Sequence, residues 1–413
     1  MRQIRSRSVV TADGLVVALR PLEANAPWIE AWRDLSRRPL VHNLFYDPDF
    51  ALPASGAFGR GVQVALVGDR APEEPGLHLL GAWPVRARRL RWGLPLLLTM
   101  GWMHDFGIFG VPLLDAAEPA RALDALFLGL RRLIGPRLML THVPTQGPFA
   151  ELLSGWLDRH RLRHARFWGH ERAFLDLRGR DTVARAAYLA HLSSRKRRKM
   201  RQAWDRLNAE GPVSVETIRD PADLPAAIDD YIALESAGWK GRRGTAIGDD
   251  GSQAAMMRTA IAAFGARGDV RIDRLRRDGR TLAAVVSFVT GKQLWSLKIS
   301  YDAAAARHSP GALAFHQLTQ DLVADPTITS ADSCAPPNYT LPETFWTERL
   351  ALAHILVETQ GGDPLFPLAA RLERARAAAN VRVKAWRDRL RARREARGSA
   401  PHRTDEAGAG DPA

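Results

Sequence analysis

The chain has 413 residues, of which 46% are hydrophobic and 25% charged, and its formal net charge is +14. This length exceeds one ordinary hydrophobic core and predicts two domains with additional segments. Cys334 is the only cysteine, which excludes a disulfide within the chain. A reducing compartment and the absence of an apolar signal near the first residues predict a cytoplasmic protein.

In the first half of the chain, the sequence predicts three strands followed by alternating helices and strands. Apolar segments bounded by Gly and Pro indicate strands, and apolar residues at helical spacing indicate helices. The predicted elements are, in chain order, strands at 63–67, 77–85 and 96–100, a helix at 116–135, a strand at 136–143, a helix at 147–162 and a strand at 165–179. The most apolar stretch, residues 90–114, contains a His-Asp pair, prolines and glycines. It predicts buried strands rather than a membrane span.

The second half predicts an order that the first half resembles in part. The elements are, in chain order, helices within 182–211, a strand at 213–218, helices at 223–241 and 252–268, strands at 269–279, 281–291 and 292–302, a helix at 309–325, a strand at 327–335 and a helix at 343–359. The strand at 281–291 is almost wholly apolar, which is typical of a strand covered on both faces.

The third strand of that run has an alternating pattern. Alternation places Trp295, Leu297 and Ile299 on one face and the polar residues Ser296, Lys298 and Ser300 on the other. We therefore expect one face of this strand to pack on a core and the other to present polar groups.

These patterns divide the chain into an N-terminal domain at 1–180, a second domain at 181–360 and a tail at 361–413. Residues 371–397 hold 11 basic and 3 acidic residues and predict a basic amphipathic helix. The polar end that follows is expected to be disordered.

The sequence "YDAAAARHSPGAL" predicts the start of a helix. Ser309 suits the N-cap, Pro310 suits the first helical position, and Gly311 would let a ligand approach the backbone. The N–H groups of Gly311, Ala312 and Leu313 would then point toward the loop, where the helix dipole favours phosphate. A plain helix cap is the alternative interpretation of the same residues.

The order of elements resembles the GNAT acyltransferase fold, an α/β fold with a mixed sheet. The segments "LSSRKRRKMRQAWDRL", "LESAGWKGRRGTA", "KISYD", "SPGAL" and "DSCAPPNY" followed by "FWTER" are similar, in order and spacing, to the CelD/BcsL-type acetyltransferases. That family is linked to cellulose and exopolysaccharide biosynthesis and is distantly similar to FemAB-like aminoacyl transferases.

The resemblance covers about residues 20–358. It implies two tandem GNAT-like domains, the first of them degenerate. It also implies acetyl-CoA or another acyl-CoA as donor and an amine or hydroxyl as acceptor. The residues that it assigns to the donor are Arg307, Ser309, Gly311, Ala312 and Leu313.

Acyl transfer requires a base, donors for the oxyanion and an acid for the leaving thiolate. The candidate bases are Glu235, Asp302 and Asp332. Glu235 could instead pair with Lys240 or a nearby arginine, and Asp302 could be a turn residue. By resemblance, Tyr339 is the candidate acid, and backbone N–H groups of the fourth strand would polarise the carbonyl.

A cationic run, "RKRRK", stands at the predicted start of a helix that Ser193 or Ser194 could cap. Cations oppose the dipole there, so an anionic partner or a solvated face are the two interpretations. The candidate anion- or substrate-binding residues are Arg195, Arg197, Trp239 and Lys240. The expected acceptor is a small molecule or glycan, and the basic C-terminal helix allows peripheral contact with anionic membrane.

The histidines show no ligand pattern, so no metal is expected, and Cys334 is interpreted as a core thiol. Two alternatives to an acyl-CoA enzyme stay open. One is a FemAB-like transferase that uses aminoacyl-tRNA. The other is a non-catalytic protein on a GNAT scaffold that binds membrane or RNA. Few aromatic residues interleave with the basic run, which disfavours nucleic acid.

Overall fold

The computed structural model describes residues 7–88, 90–91, 93–238, 240–337 and 339–398. By internal contacts, Met1–Asp363 is one compact unit and Pro364–Ala413 a second. The second unit contains one long helix, and the tail end predicted to be disordered, residues 399–413, lies outside the described residues. The division of the first unit at residue 180 stays a prediction.

The first half contains the predicted strands and helices, preceded by four elements that were not predicted. All elements of this half are, in chain order, β1 (Arg7–Val10), β2 (Val16–Pro21), α1 (Ile29–Arg37), α2 (Pro48–Phe58), β3 (Gln63–Gly68), β4 (Leu79–Arg88), β5 (Leu98–Gly101), β6 (Leu113–Leu114), α3 (Pro119–Leu133), β7 (Arg137–Pro144), α4 (Pro148–His160) and β8 (His164–Asp176). The first four of these were not predicted.

The second half follows the same succession of strands and helices after two leading helices. Its elements are α5 (Thr182–Ala186), α6 (Ser194–Ala209), β9 (Val213–Ile218), α7 (Leu224–Ala237), α8 (Gly251–Gly265), β10 (Val270–Arg277), β11 (Arg280–Thr290), β12 (Gln293–Tyr301), α9 (Pro310–Ala324), β13 (Ser330–Asp332), α10 (Thr340–Phe345) and β14 (Glu348–Glu358). The helix of the second unit is α11 (Phe366–Gly398).

The strands of the described chain form one mixed sheet. Its order is β1-β2-β3-β4-β5-β7-β14-β8-β13-β12-β11-β10-β9, and β6 pairs with β4. Apart from β1, the order is symmetric: β2, β3, β4, β5 and β7 of the first half correspond to β9, β10, β11, β12 and β13 of the second half, and β8 corresponds to β14. Each half supplies five consecutive strands, and the last strand of each half lies beside the other half. The observed fold is therefore the predicted α/β fold with a large mixed sheet.

The exchange of last strands corrects one prediction. Residues 343–359 were predicted to be a helix, but they contain only the end of α10, and β14 follows. β14 is antiparallel to both β7 and β8, so both of its edges are hydrogen-bonded to neighbouring strands. An apolar run of this length fits a buried strand or a helix, and here the neighbouring strands decide.

Two apolar clusters cover opposite faces of the sheet in the second half. One contains Phe264 of α8 with Val286 and Trp295, and the other contains Phe315 of α9 with Val285. Because the neighbours Val285 and Val286 face opposite clusters, β11 is covered on both faces, which confirms the prediction. In the part of the chain that is described, no helix is long and apolar enough to cross a membrane.

The apolar stretch 90–114 is only partly buried. It contributes β5 and β6 to the sheet, but Leu90, Leu94 and Leu97 in the β4–β5 connection are exposed. The prediction of buried strands is therefore wrong for this connection.

Candidate active site

β12 and β13 are parallel strands that separate after three residue pairs. Gln293–Trp295 pairs with Ser330–Asp332, whereas the rest of β12 pairs with β11 alone among the described strands. One edge of β12 is therefore open beyond Trp295. Its backbone N–H and C=O groups can hydrogen-bond an extended ligand that lies along the gap.

A β-bulge in β12 changes the predicted pattern of faces. Lys298 is opposite Val286 and Ser296 is opposite Ser287, so Leu297 has no counterpart on β11. Such a bulge reverses the alternation after it. Leu297 lies in the same cluster as Trp295, but Ile299 packs against the other cluster, so the prediction for Ile299 is wrong.

The bulge brings Lys298 to the side of the sheet on which Trp295 lies. Its Nζ is 4.3 Å from the centroid of the Phe106 ring, which comes from the first half. Burial lowers the pKa of Lys298 to about 8; Glu235 opposes this shift and Lys240 adds to it. Lys298 is thus a partly neutral amine close to physiological pH. Sequence reasoning assigned it only to a polar face.

Glu235 is fully buried near the end of α7 and accepts three hydrogen bonds. The donors are the Tyr231 hydroxyl at 3.0 Å, Lys240 Nζ at 2.5 Å and the Ile247 N–H at 2.8 Å. Burial alone would raise the pKa of Glu235, but Lys240, the Ile247 N–H and Lys298 hold it below its usual value. The carboxylate stays charged and fixes the segment that follows α7.

The predicted pairing of Glu235 with Lys240 is therefore present. Since its carboxylate is occupied and its pKa is lowered, the geometry gives Glu235 a positioning function and makes it a weak proton acceptor. Trp239, the neighbour of Lys240, lies outside the described residues.

Tyr339 immediately precedes α10, and its side chain is partly exposed. Burial raises the pKa of its phenol and Tyr301 raises it further, so the hydroxyl is protonated at neutral pH. Tyr339 in turn contributes to the raised pKa of Tyr231, the partner of Glu235. Tyr231 is hydrogen-bonded to Glu235, so Tyr339 acts electrostatically on a direct partner of Glu235, and Glu235 and Lys298 shift each other's pKa.

The start of α9 differs from the predicted cap. Ser309 has left-handed backbone angles (φ 52°, ψ 49°), and its side chain makes no capping hydrogen bond. Its carbonyl accepts the N–H groups of Ala312 at 2.9 Å and Leu313 at 3.2 Å. The prediction of a side-chain cap and of free N–H groups on Ala312 and Leu313 is therefore wrong.

Gly311 keeps an N–H for which the described residues supply no acceptor. A Cβ atom at Gly311 would meet the Tyr301 ring at 3.4 Å, which is ordinary contact. Tyr301 ends β12, so the start of α9 lies beside the open part of that strand.

Arg307 points to a carboxylate rather than to the loop. It donates to Glu210 Oε1 at 2.8 Å and to His308 Nε2 at 2.9 Å, although its side chain is largely exposed. Glu210 also binds Arg277. A phosphate that bound Arg307 would have to compete with Glu210.

The basic run lies at the start of α6. Ser193 caps this helix by accepting the Lys196 N–H at 3.2 Å. Both arginines are exposed, but Arg197 donates to the carbonyls of Ala190 and Leu192. Arg197 therefore holds the preceding turn, and Arg195 stays accessible to an anion.

Asp332 is fully buried at the end of β13, where the strand gap opens. Its Oδ2 accepts from Arg172 Nη2 at 2.5 Å, and its Oδ1 accepts the Cys334 N–H at 2.9 Å. Arg172 also donates to the carbonyl of Ile108 at 3.1 Å. Asp332 therefore joins β13, β8 and a first-half loop, and its carboxylate is occupied. Burial raises the pKa of the Cys334 thiol, which keeps it protonated.

Three histidines that the sequence did not single out lie together on β7, β8 and β14. The ring of His142 is 4.6 Å from that of His354 and 5.2 Å from that of His170. Burial, followed by the other two rings, lowers the pKa of His142 to about 2. Within the described ranges, no group of three or more His, Cys, Asp or Glu side chains could hold a metal ion.

Residues 194–338 match a family described as acetyltransferase (GNAT) domain. This match covers the open strand gap, the start of α9 and Glu235. It assigns an acetyltransferase-type domain to the second half. No curated protein matches the chain.

Several solved structures are similar to the chain at low identity. The crystal structure of FemX has a TM-score of 0.54 at 10% identity and covers 83% of this chain and 98% of that one. A conserved protein of unknown function from Bacteroides thetaiotaomicron VPI-5482 has a TM-score of 0.50 at 11% identity, covering 80% and 96%. The C-terminal domain of a putative lysylphosphatidylglycerol synthetase from Agrobacterium fabrum has a TM-score of 0.49 at 15% identity, covering 84% and 96%.

Proposed function

We propose that the chain is an acyltransferase that moves an acetyl or longer acyl group from acyl-CoA to an amine or hydroxyl. The observation that carries this proposal is the open edge of β12 beside β13, on a strand that carries Lys298 and ends at Tyr301, which acts electrostatically on Tyr339. An extended pantetheine arm can hydrogen-bond such an edge. The thioester carbonyl would then accept hydrogen bonds from backbone N–H groups of β12.

In this mechanism Lys298 is the base. Its neutral amine takes the proton of the attacking amine or hydroxyl, which adds to the thioester carbon. The tetrahedral intermediate collapses with cleavage of the C–S bond, and Tyr339 gives its proton to the leaving thiolate. Because Tyr339 is 38% exposed, solvent can return that proton.

In this proposal, the other predicted residues bind the donor or acceptor or position the groups that react. Glu235 holds Lys240 and tunes Lys298, and Asp332 fixes the end of β13 through Arg172. At the start of α9, the N–H of Gly311 would donate a hydrogen bond to a pyrophosphate oxygen of the donor. Arg195 is the accessible cation for an anionic part of the donor or acceptor.

The acceptor that we propose is a sugar or polysaccharide precursor. Its support is the resemblance to the CelD/BcsL-type family, together with the exposed cations at the start of α6. Transfer to nitrogen and transfer to oxygen use the same base and the same acid.

A second candidate donor is aminoacyl-tRNA. The fold shared with FemX and the run of six basic residues between Arg195 and Arg201 favour it. Both donors present an acyl group to the same strand gap, so the chemistry of Lys298 would be common to them.

Turnover assays with different donors test the proposal. The full chain would be incubated with acetyl-CoA and an amino sugar, a neutral sugar or a simple primary amine, and free thiol would be measured. We expect acceptor-dependent thiol release. Tyr339→Phe should still bind acetyl-CoA but release thiol about 10²-fold more slowly, because only the phenolic proton is lost.

Two results would contradict parts of this account. Thiol release by Tyr339→Phe at the wild-type rate would remove Tyr339 from the mechanism. Transfer from charged tRNA with no binding of any acyl-CoA would replace the proposed donor with the second candidate.

A further inference from the structure

The connection between β4 and β5 is a hairpin that extends beyond the sheet. Arg91 and Leu94 exchange two backbone hydrogen bonds, each 2.9 Å long, and Gly93 has a φ of 73°. The turn is therefore tight, and a left-handed glycine fits it at little cost. Arg89 and Trp92 lie outside the described residues.

Three leucines of this hairpin are exposed to solvent. Leu90 is 64% exposed, Leu94 39% and Leu97 37%, whereas Leu96 and Leu98 between and beside them are buried. The alternation anchors one side of the hairpin in the protein and leaves the other side apolar in water. A cluster of exposed leucines on one loop marks an interaction surface more often than single exposed residues do.

The charge of the same segment has one sign. From residue 75 to residue 104 the sequence has four arginines and no aspartate or glutamate. Arg88 is exposed beside the hairpin, while Arg86 donates to the Phe58 carbonyl at 3.1 Å and fixes the base. Exposed leucines along a hairpin with an exposed arginine at its base match the interface of an anionic bilayer, where acyl chains lie beneath charged headgroups.

The small size of the apolar tip argues against a protein partner. The exposed parts of the three leucines amount to less than two whole leucine residues. A stable protein interface buries about 800 Å² on each partner. A bilayer needs no complementary pocket and accepts a narrow tip.

We propose that the β4–β5 hairpin inserts Leu90, Leu94 and Leu97 into the interface of an anionic lipid bilayer, with Arg88 at the headgroups. The contact holds the protein at a membrane surface without a spanning segment. It is independent of the proposed acyltransferase activity.

Vesicle sedimentation tests this contact. The full chain would be mixed with phosphatidylcholine vesicles with or without phosphatidylglycerol, at low and high salt. We expect binding to the anionic vesicles that weakens as salt is added. Leu90→Ser/Leu94→Ser should bind them at least 10-fold more weakly, and Arg88→Gln should bind a few-fold more weakly with a smaller salt effect.

Val183→Ser is the matched control, because Val183 is 77% exposed on α5, away from the hairpin. It should bind vesicles as the wild type does. Arg371→Gln/Arg374→Gln distinguishes vesicle binding by the hairpin from vesicle binding by the basic helix α11. All variants would be compared by melting temperature, which these exposed changes should leave nearly unaltered.

The proposal is overturned if Leu90→Ser/Leu94→Ser binds anionic vesicles as tightly as the wild type. It is also overturned if Val183→Ser loses binding equally, since the hairpin would then have no special part. A change from dimer to monomer in the leucine variant without vesicles would identify the tip as a contact between copies, against the proposal.

Discussion

The two halves of the sheet each contain a pair of parallel strands that separate, but within the described part of the chain only the second pair leaves an open edge. In the first half, β5 and β7 pair through Thr99 and Met100 and then part. The chain itself fills that gap: the Gly110 N–H donates to the carbonyl of His142 at 3.2 Å on β7. A Cβ atom at Gly110 would lie 1.9 Å from the Thr141 carbonyl oxygen.

The filling segment is fixed from both sides. The side-chain amide of Asn43 donates to the carbonyls of Phe109 and Val111. In the second half, no described segment pairs with the corresponding edge of β12, the strand that carries Lys298. The same order of strands can therefore leave a gap open or close it, depending on the loop after the fourth strand of each half.

Replacement of Lys298 should have the largest effect on the open gap. If its neutral amine is the base, turnover of the wild type rises with pH through about 8, as Lys298 loses its proton. Lys298→Met should lower turnover by roughly 10²–10⁴-fold and abolish this rise. Lys298→Arg keeps a charge that cannot be lost, so it should not rescue the rate.

Lys292→Met is the matched control, because Lys292 is an exposed lysine just before β12. It should keep the wild-type rate and pH profile. A wild-type pH profile in Lys298→Met would show that another group is the base.

Gly110→Ala, in the segment that fills the first-half gap, should have the second largest effect, a loss of stability. Its methyl group has no room beside the Thr141 carbonyl, so the segment must move. We expect a loss of about 1–3 kcal/mol in the free energy of unfolding, measured by denaturant titration. Gly56→Ala in α2, where nothing lies within 4 Å, should be neutral or slightly stabilising.

Equal stability of Gly110→Ala and Gly56→Ala would mean that the loop does not fill the first gap tightly. The contrast between the two halves would then lose its structural basis.

Ser309→Gly should have the smallest effect. Glu118, which precedes α3, has a negative φ of −134°, whereas Ser309, which precedes α9, is left-handed with a φ of 52°. Glycine removes this strain but has more freedom when unfolded, so a net gain of up to about 1 kcal/mol in stability is expected. Ser309→Ala keeps the strain and loses no capping bond, so its melting temperature should match the wild type. A clear loss in Ser309→Ala would indicate a cap.

Local patterns predicted most strands and helices of the second half because its strands are bounded by turns and its helices by Gly. The same signals failed for β14, where an apolar run lies between β7 and β8 from distant parts of the chain. Elements before β3 were not predicted.

At the site, the sequence indicated Glu235, Lys240 and Tyr339 as candidates. The structure pairs Glu235 with Lys240, and Tyr339 raises the pKa of Tyr231, which donates to Glu235. It did not indicate Lys298, because the bulge at Leu297 that redirects it depends on pairing with β11. It also predicted a cap at Ser309, since residue type alone does not reveal a left-handed backbone. Local sequence patterns therefore did not reveal features that depend on strand pairing or on backbone angles.

Calorimetry with acetyl-CoA on the wild type and Gly311→Val tests the contrast between the gaps most directly. We expect one acetyl-CoA per wild-type chain. Gly311→Val should bind about 10- to 100-fold more weakly, because one charge-assisted N–H bond is obstructed. Gly311 is buried and a Cβ atom there already lies 3.4 Å from the Tyr301 ring, so valine should lower the melting temperature, and binding is compared at a temperature at which both proteins are folded. Two acetyl-CoA molecules per chain, or wild-type affinity in a folded Gly311→Val protein, would contradict the account.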